Sequence, residues 1–177
     1  MLYTFTYRSP LGILTMASEG DNIIGLWLSG QKYFAATIKE ECVNKRLPVF
    51  DKVVAWLDCY FGGNAPTIIL PLAPHGTTFQ QQVWRILTAI PYGKTTTYGE
   101  IAKQLAGETG KERMSAQAVG GAVGHNPISI IIPCHRVMGA NGNLTGYAGG
   151  IDKKIKLLEF EHVDTSKFYI PKRGTAL

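Results

Sequence analysis

The stretch that decides how this chain folds and what it does runs over residues 128–137: Ile128-Ser129-Ile130-Ile131-Ile132-Pro133-Cys134-His135-Arg136-Val137. Its first five residues are mostly β-branched and predict a buried strand, which Pro133 ends because proline has no backbone N–H to donate. Strand ends are where α/β proteins hold reactive groups on a rigid scaffold. Cys134 is therefore a candidate nucleophile; the alternative is a buried thiol that acts only as a small hydrophobe.

A carboxylate further along the chain supports the first interpretation. A helix is predicted over residues 152–161, and its apolar stripe consists of Ile151, Ile155 and Leu158. The same spacing continues to Glu161, which is then buried, unless the helix end frays and Glu161 lies in solvent. Cysteine, histidine and glutamate suit an activated thiolate, in which His135 removes the thiol proton and Glu161 orients the imidazole.

The first third of the chain predicts β structure and one helix. Strands are expected over residues 3–8, 13–17 and 23–28, with turns between them. Apolar residues at helical spacing predict an amphipathic helix over residues 49–61, which Gly62-Gly63 ends. The stretch 62–74, which contains three prolines, is interpreted as the link to a second domain.

After this link the pattern becomes helical. Thr78 is expected to cap a helix, and shorter helices are expected over residues 99–105 and 114–124. Two short helices joined by a turn indicate a helix-turn-helix.

The composition is that of an ordinary globular protein, since 45% of the 177 residues are apolar and 18% are charged. The three cysteines, Cys42, Cys59 and Cys134, form neither a disulfide framework nor a CxxC zinc pair. No signal peptide or membrane-spanning stretch is visible, so we expect a cytoplasmic protein that does not bind membranes. The net charge of +5 is compatible with a polyanionic partner but does not identify it.

The central motif resembles the active-site motif of O6-alkylguanine-DNA alkyltransferases, also called methylated-DNA–protein-cysteine methyltransferases. The likeness extends in register from about residue 78 to residue 161. It includes Ile-Pro-Cys-His-Arg-Val at 132–137, Ala-Val-Gly-Gly-Ala at 118–122, Asn126-Pro127 and Leu-Thr-Gly-Tyr-Ala-Gly-Gly at 144–150. Several motifs in matching order are far more specific than any one of them. The first third fits the family's size and strand pattern weakly.

The pattern and the resemblance together predict a two-domain α/β fold. Residues 1–74 would form a small antiparallel β-sheet with helix cover, similar to ribonuclease H. Residues 75–162 would form a mostly helical, winged-helix-like domain that contains the helix-turn-helix and the catalytic site. Residues 163–177 show no clear periodicity and are interpreted as a tail.

The resemblance also implies a reaction. Cys134 would take an alkyl group, typically methyl, from O6 of guanine or O4 of thymine in double-stranded DNA, in one irreversible step that consumes the protein. His135 would act as its base through a water, and Glu161 would orient His135. Tyr98 would donate a proton to N3 of the leaving guanine. Asn126 would be a hinge between the recognition helix and the active-site strand.

The flipped base would be held by backbone groups at Cys134 and by Val137, Tyr147, Ala148 and Gly149. No cofactor is expected, because the DNA itself carries the alkyl group, and the protein is expected to act as a monomer. The zinc site of some relatives is not expected, since no histidine precedes His75 and Cys42 and Cys59 stand apart from it.

The base must leave the DNA stack to be reached. In the family the second helix of the helix-turn-helix enters the minor groove. Small residues such as Ala118 and Gly121 would allow a close approach, although tight packing against another helix favours the same residues. Many members have an arginine where this chain has Gln117, which predicts weaker or differently salt-dependent binding. Arg136 either binds a phosphate or pairs with a carboxylate.

Other interpretations compete with this one. Tyr98 could be only a core aromatic, and Asn126 only a helix C-cap. A damage-recognition protein without transfer activity would resemble the family but carry tryptophan at the position of Cys134. A helix-turn-helix regulator would leave Cys134, His135 and Glu161 without a role, and a thiol hydrolase would need an oxyanion site that nothing here indicates.

Overall fold

The structure, a computed structural model, describes residues 1–172 and begins with a four-stranded sheet. The strands are β1 Leu2–Ser9, β2 Gly12–Glu19, β3 Asn22–Leu28 and β4 Cys42–Asn44. They lie in the order β3-β2-β1-β4. The three predicted strands are confirmed and pair antiparallel. The sequence does not predict β4, whose three residues pair parallel with β1, because so short a strand has no periodicity to detect.

The predicted first helix is confirmed as α1 Pro48–Phe61, which packs against the sheet. Pro48 suits the first turn because its missing N–H would have no partner there. The ring of Phe50 lies 6.0 Å from that of Phe5 in β1. The buried face of α1 consists of Val49, Phe50, Val53, Trp56, Leu57 and Tyr60.

The predicted link, residues 62–74, contains no helix but pairs with the sheet. Ile23 N–H donates to the Pro71 carbonyl at 2.8 Å, and Ala73 N–H donates to the Ile23 carbonyl at 2.8 Å. The link therefore covers part of the edge of β3, where unpaired backbone groups would otherwise invite pairing with another chain.

The rest of the described chain is mainly helical, as predicted. Its helices are α2 Thr78–Thr88, α3 Tyr98–Thr109, α4 Ala116–Gly124 and α5 Ile151–Phe160. Two short strands, β5 Thr96–Thr97 and β6 Val137–Met138, pair parallel. Helices α3 and α4 pack on each other and form the predicted helix-turn-helix.

Capping side chains determine where these helices begin, and two of the observed starts differ from the predicted ones. Thr77, not Thr78, caps α2: its hydroxyl accepts from Gln80 N–H, and the Gln80 side chain accepts from Thr77 N–H. Both adjacent threonines have a glutamine three residues later, Gln80 for Thr77 and Gln81 for Thr78, so the capping-box pattern alone does not choose between them. Thr97 and Glu100 form the same box at α3, which begins one residue earlier than predicted.

The prediction of a buried strand over residues 128–132 is wrong. The segment is buried, but it touches β3 only through a bridge between Ile128 and Leu26. It then turns back, so that Ile132 N–H donates to the Ile128 carbonyl at 3.0 Å. Ile130 has a φ of +71°, which strains a β-branched residue. Burial, the bridge to Leu26 and the hydrogen bonds of Asn126 to Ile128 and Ile132 thus override the preference of this sequence for a strand.

The main hydrophobic core joins the two halves of the chain. It contains Leu26 and Tyr60 from the first half and Trp84, Leu105 and Ile128 from the second. A site between the halves can therefore be held rigidly by both.

Part of the predicted tail is ordered against the body of the protein. A 3₁₀ turn spans Thr165–Lys167, and Tyr169 forms a bridge with Asn143. Residues 173–177 of this tail lie outside the described residues.

Candidate active site

Cys134 begins a 3₁₀ turn, Cys134–Arg136, and its side chain is buried. The carbonyl of Ile132 accepts hydrogen bonds from Cys134 N–H at 2.8 Å and from the Asn126 side-chain amide at 2.7 Å. The side-chain oxygen of Asn126 accepts from Ile128 N–H at 3.0 Å. Asn126, just beyond α4, thus connects the helix-turn-helix to the turn that holds the thiol.

Glu161 is buried at the end of α5, so the frayed alternative is excluded. Its Oε1 lies 2.5 Å from Nε2 of His135, which is also buried. The structure therefore brings together the candidate base and the carboxylate predicted to orient it.

Arg136 is buried beside the same carboxylate. Its Nε donates to Glu161 Oε2 at 2.8 Å, its Nη2 to Oε1 at 3.0 Å and its Nη1 to the Ile90 carbonyl at 2.6 Å. The pairing alternative is thus the one found, and the assignment of Arg136 to DNA binding is corrected, because its guanidinium faces the interior. Guanidinium and carboxylate groups prefer this two-bond geometry.

Two further groups donate hydrogen bonds to Glu161, and neither was predicted from the sequence. The hydroxyl of Tyr60 donates to Oε1 at 2.9 Å, and Gly93 N–H donates to Oε2 at 3.1 Å. Burial by itself would raise the pKa of Glu161, but the hydrogen bonds from His135 and Arg136 and the positive charge of Arg136 outweigh it and lower the pKa to about 2. The carboxylate is therefore ionised at neutral pH and can only accept hydrogen bonds.

The ionised state of Glu161 determines which ring nitrogen of His135 carries the proton. Because the ionised carboxylate only accepts, Nε2 carries the proton and Nδ1 keeps its lone pair. Nδ1 is buried and has no hydrogen-bond partner within residues 1–172. Burial lowers the pKa of His135, which outweighs the opposite effect of Glu161. The imidazole is thus neutral at rest, with a free basic nitrogen.

Lys154 of α5 is a second buried residue that the sequence analysis missed. Its Nζ donates to the carbonyls of Val137 at 2.5 Å, Thr145 at 3.1 Å and Gly146 at 3.4 Å. Burial lowers the pKa of Lys154 to about 8. The buried face of α5 is rotated from the predicted stripe and contains Lys154, Leu157 and Leu158. The spacing of four between Lys154 and Leu158 is the signal that could have placed this lysine inside.

Opposing effects act on the thiol of Cys134. Burial raises its pKa, whereas a hydrogen bond from Asn126 and the positive charge of Lys154 lower it. The raised pKa is the net result, so the thiol is protonated at rest and needs a base to react.

A cavity of about 40 Å³ lies beside Cys134. Its lining consists of Lys32, Tyr33, Tyr98, Gly120, Val123, Gly124, Cys134, Gly146, Tyr147 and Ala148. The structure thus brings Tyr98, Tyr147 and Ala148 to the thiol as predicted, whereas Val137 and Gly149 lie outside the lining. Burial raises the pKa of Tyr98, so its hydroxyl stays protonated as a donor.

The first half of the chain contributes one wall of this cavity, which the sequence does not indicate. Lys32 N–H donates to the Ala148 carbonyl at 2.9 Å. The ring of Tyr33 stacks on that of His125, with centroids 3.9 Å apart.

Comparisons with known proteins identify the family of this chain. Residues 1–74 match the model of the 6-O-methylguanine DNA methyltransferase, ribonuclease-like domain, and residues 78–163 match that of the 6-O-methylguanine DNA methyltransferase, DNA binding domain. This chain belongs to the 6-O-methylguanine DNA methyltransferase family.

Individual relatives agree with this family assignment. A methylated-DNA–protein-cysteine methyltransferase of Methanosarcina mazei is 51% identical over 160 residues, 90% of this chain and 97% of the relative. One of Mycobacterium bovis is 45% identical over 164 residues, 91% and 93%. Mycobacterium tuberculosis OGT, solved in complex with DNA, matches with a TM-score of 0.78 and 42% identity over 94% of both chains. The predicted fold and the prediction of a methylated-DNA–protein-cysteine methyltransferase are confirmed.

The second helix of the helix-turn-helix in this methyltransferase has an open outer face. Gln117, Ala118 and Gly121 of α4 are exposed. A methyl group added at Gly121 or Gly124 would meet no atom within 4 Å. Internal packing therefore does not explain Gly121, which lies on the exposed face of the helix, whereas Gly124 lines the cavity beside Cys134.

The described part of the methyltransferase contains no group of three or more histidine, cysteine, aspartate or glutamate side chains that could hold a metal ion. Over the same residues, no helix is long and apolar enough to cross a membrane.

Proposed function

We propose that this methyltransferase repairs double-stranded DNA by moving a methyl or other alkyl group from O6 of guanine, or O4 of thymine, onto Sγ of Cys134. One observation carries the proposal: a buried thiol lies at a cavity next to a histidine whose only free nitrogen, Nδ1, lacks a partner within residues 1–172. That arrangement provides a nucleophile together with a base that is already oriented.

The transfer begins with the thiol proton, which passes through a water to Nδ1 of His135, because Nδ1 has no hydrogen-bond partner within residues 1–172. Sγ of Cys134 then attacks the alkyl carbon in line with the bond to O6. As the S–C bond forms, the C–O6 bond breaks and its electron pair stays on the guanine. Glu161 stabilises the imidazolium that results, because its carboxylate already accepts the Nε2 proton at 2.5 Å.

The leaving guanine is neutralised by a proton from Tyr98 to N3. Within residues 1–172, the hydroxyl of Tyr98 makes only long contacts, 3.4 Å each, to the carbonyls of Thr145 and Gly146, so it can turn to a base in the cavity. The proton held by His135 returns through solvent to the tyrosinate, and the proton count balances. The product is a thioether, which has no leaving group for a second step, so each molecule acts once.

DNA would be bound by the outer face of α4. The solved complex of Mycobacterium tuberculosis OGT with DNA supports DNA as the partner. Because Ala118 and Gly121 are exposed and small, the helix backbone can approach the minor groove closely. Gln117, in the first turn of α4, would fill the space left by the flipped base without adding charge.

The two halves of the chain would have different tasks. Residues 75–162 would contain the reacting groups and the DNA-binding helix, and residues 1–74 would support them and close the cavity through Lys32 and Tyr33. The protein would act as a monomer and without a cofactor.

Intact-protein mass spectrometry after incubation with excess duplex containing one O6-methylguanine tests the proposal. We expect a gain of one methyl mass, located on Cys134 and absent in Cys134→Ser, which stops at one equivalent. Continued turnover would indicate a hydrolase. Tight binding to the lesion without a mass gain would indicate a damage-recognition protein, and either result would refute the proposal.

A further inference from the structure

A residue of the first half of the chain reaches the centre of the hydrogen-bond network behind Cys134. Tyr60, in the last turn of α1, is fully buried. Its hydroxyl lies 2.9 Å from Glu161 Oε1, 3.3 Å from His135 Nε2 and 3.3 Å from the Leu157 carbonyl. It precedes His135 by 75 residues, so no local motif contains both.

The directions of these hydrogen bonds follow from the charge of Glu161. The carboxylate can only accept, so Tyr60 O–H and His135 Nε2–H both donate to Oε1. The hydroxyl oxygen of Tyr60 then turns a lone pair towards the same Nε2–H at 3.3 Å. Tyr60 therefore contacts both members of the pair that orients the free Nδ1.

The ring of Tyr60 is itself fixed by its neighbours. It stacks on Trp56 with centroids 5.4 Å apart and meets the ring of Tyr92 edge-on at 6.2 Å. A hydroxyl held so rigidly fixes the position of the carboxylate that it contacts.

We propose that Tyr60 is a positioning residue for alkyl transfer: its hydroxyl fixes the Glu161 carboxylate and the Nε2 side of His135, and thereby holds the imidazole so that Nδ1 stays available to the thiol proton of Cys134. Helix α1 thus takes part in activating the nucleophile, although it touches neither the thiol nor the DNA. The inference rests on the proposed function, since it assigns Tyr60 to the base of that reaction.

Tyr60→Phe removes only the hydroxyl and keeps the ring. Tyr92→Phe is the matched control, because the Tyr92 hydroxyl donates to the Phe160 carbonyl at 2.9 Å and not to Glu161. Each variant is assayed by single-turnover transfer from an O6-methylguanine duplex, by duplex affinity and by thermal unfolding. The rate of Cys134 alkylation by iodoacetamide is measured against pH, which reports on the thiol without DNA.

For Tyr60→Phe we expect a transfer rate lowered about tenfold, part of the roughly 10²–10⁴-fold that a general base contributes. Duplex affinity should not change. The pH of half-maximal alkylation should rise by about one unit, because the thiol loses its oriented proton acceptor. In a His135→Asn background the same substitution should have no further effect on rate, since the group that Tyr60 positions is gone.

An unchanged rate and pH profile in Tyr60→Phe would overturn the inference. So would a rate that falls only in step with thermal stability, with the pH profile of iodoacetamide alkylation unmoved, because that result is expected of a purely structural tyrosine. If wild-type protein fails to transfer methyl but Tyr60→Phe still shifts the alkylation profile, the positioning role stands and the proposed function fails.

Discussion

Arg136 and Glu161 form a buried ion pair with two hydrogen bonds, Nε to Oε2 at 2.8 Å and Nη2 to Oε1 at 3.0 Å. Glu161 also contacts His135, the candidate base. Arg136, the next residue in the chain, therefore neutralises the carboxylate that orients this base. Charge compensation of this kind is what makes a buried carboxylate tolerable. The ion pair is therefore part of how the site is built, although the side chains of both residues are buried.

Replacing Arg136 with methionine should destabilise the protein by about 3–5 kcal/mol, because it leaves a buried carboxylate without its cation. Chemical denaturation measures this change. The control is Arg46→Met, which breaks an ion pair with Asp51. Both side chains of that pair are more than half exposed, so this substitution should lower the free energy of unfolding by at most about 1 kcal/mol. Equal small losses in both variants would contradict the role of the buried pair.

The stability of the protein should fall at acid pH through Glu161. Its pKa is lowered from the ordinary 4.5 to about 2 in the folded state, so the unfolded chain binds this proton at a higher pH. The stabilisation is complete above about pH 4.5 and is lost as the pH falls towards about 2. Urea denaturation at several pH values gives the free energy of unfolding at each pH. Its slope against pH over this window should be smaller in Glu161→Gln than in the wild type. An identical slope in both proteins would show that other groups control the acid transition.

Replacing Lys154 with methionine should slow transfer and destabilise the fold. The thiolate of Cys134 loses a nearby cation, and a rise of one unit in the pKa of the thiol lowers the thiolate fraction about tenfold. Three carbonyls also lose a donor, at a cost of roughly 1–3 kcal/mol for each one left unsatisfied. Single-turnover rates and thermal unfolding measure both effects. Lys156→Met, on the exposed side of the same helix, should change neither.

Gly121→Ala should separate stability from DNA binding. A methyl group there meets no atom within 4 Å, and alanine favours a helix over glycine by about 1 kcal/mol. We expect a more stable protein that binds duplex more weakly, because the added methyl group keeps α4 out of the groove. Gly107→Ala in α3 is equally free of contacts and should stabilise without weakening binding. Equal duplex affinities in the two variants would count against α4 as the docking helix.

Gln117→Arg should tighten duplex binding and make it more sensitive to salt. One added phosphate contact steepens the slope of log affinity against log salt by about 0.9. Fluorescence anisotropy at several salt concentrations measures the slope. Gln104→Arg adds the same charge to the exposed side of α3 and should leave the slope closer to that of the wild type. No difference between the two arginine variants would refute a contact at Gln117.

Features with local signals were predictable from the sequence. The three antiparallel strands follow from alternation and turn residues, and α1 follows from helical spacing ended by Gly62-Gly63. The motifs indicated the family, because their order along the chain is itself specific, and with it four of the ten residues that line the cavity: Tyr98, Cys134, Tyr147 and Ala148. The cap of α2 was misplaced by one residue because Thr77 and Thr78 are equivalent until the bond with Gln80 is seen.

Features that depend on contacts between distant segments were not predictable. The run over residues 128–132 has the composition of a buried strand, but its backbone turns because it is held by Asn126 and the edge of β3. The sequence did not single out Lys154, because its three acceptors are backbone carbonyls, which every residue provides.

The sequence by itself determined the family, the order of the helices and of the first three strands, and the choice of Cys134 and His135 as the candidate reacting pair. These rest on residue types and short spacings, which need no folded structure to be recognised. Only the tertiary structure decided which groups surround Glu161. Arg136 pairs with Glu161 and not with a DNA phosphate, and the Tyr60 hydroxyl donates to Glu161 from α1, 101 residues away in the sequence. The physical reason is that a buried carboxylate takes whatever donors the packing of the two halves brings to it, and packing at that range leaves no periodic trace along the chain.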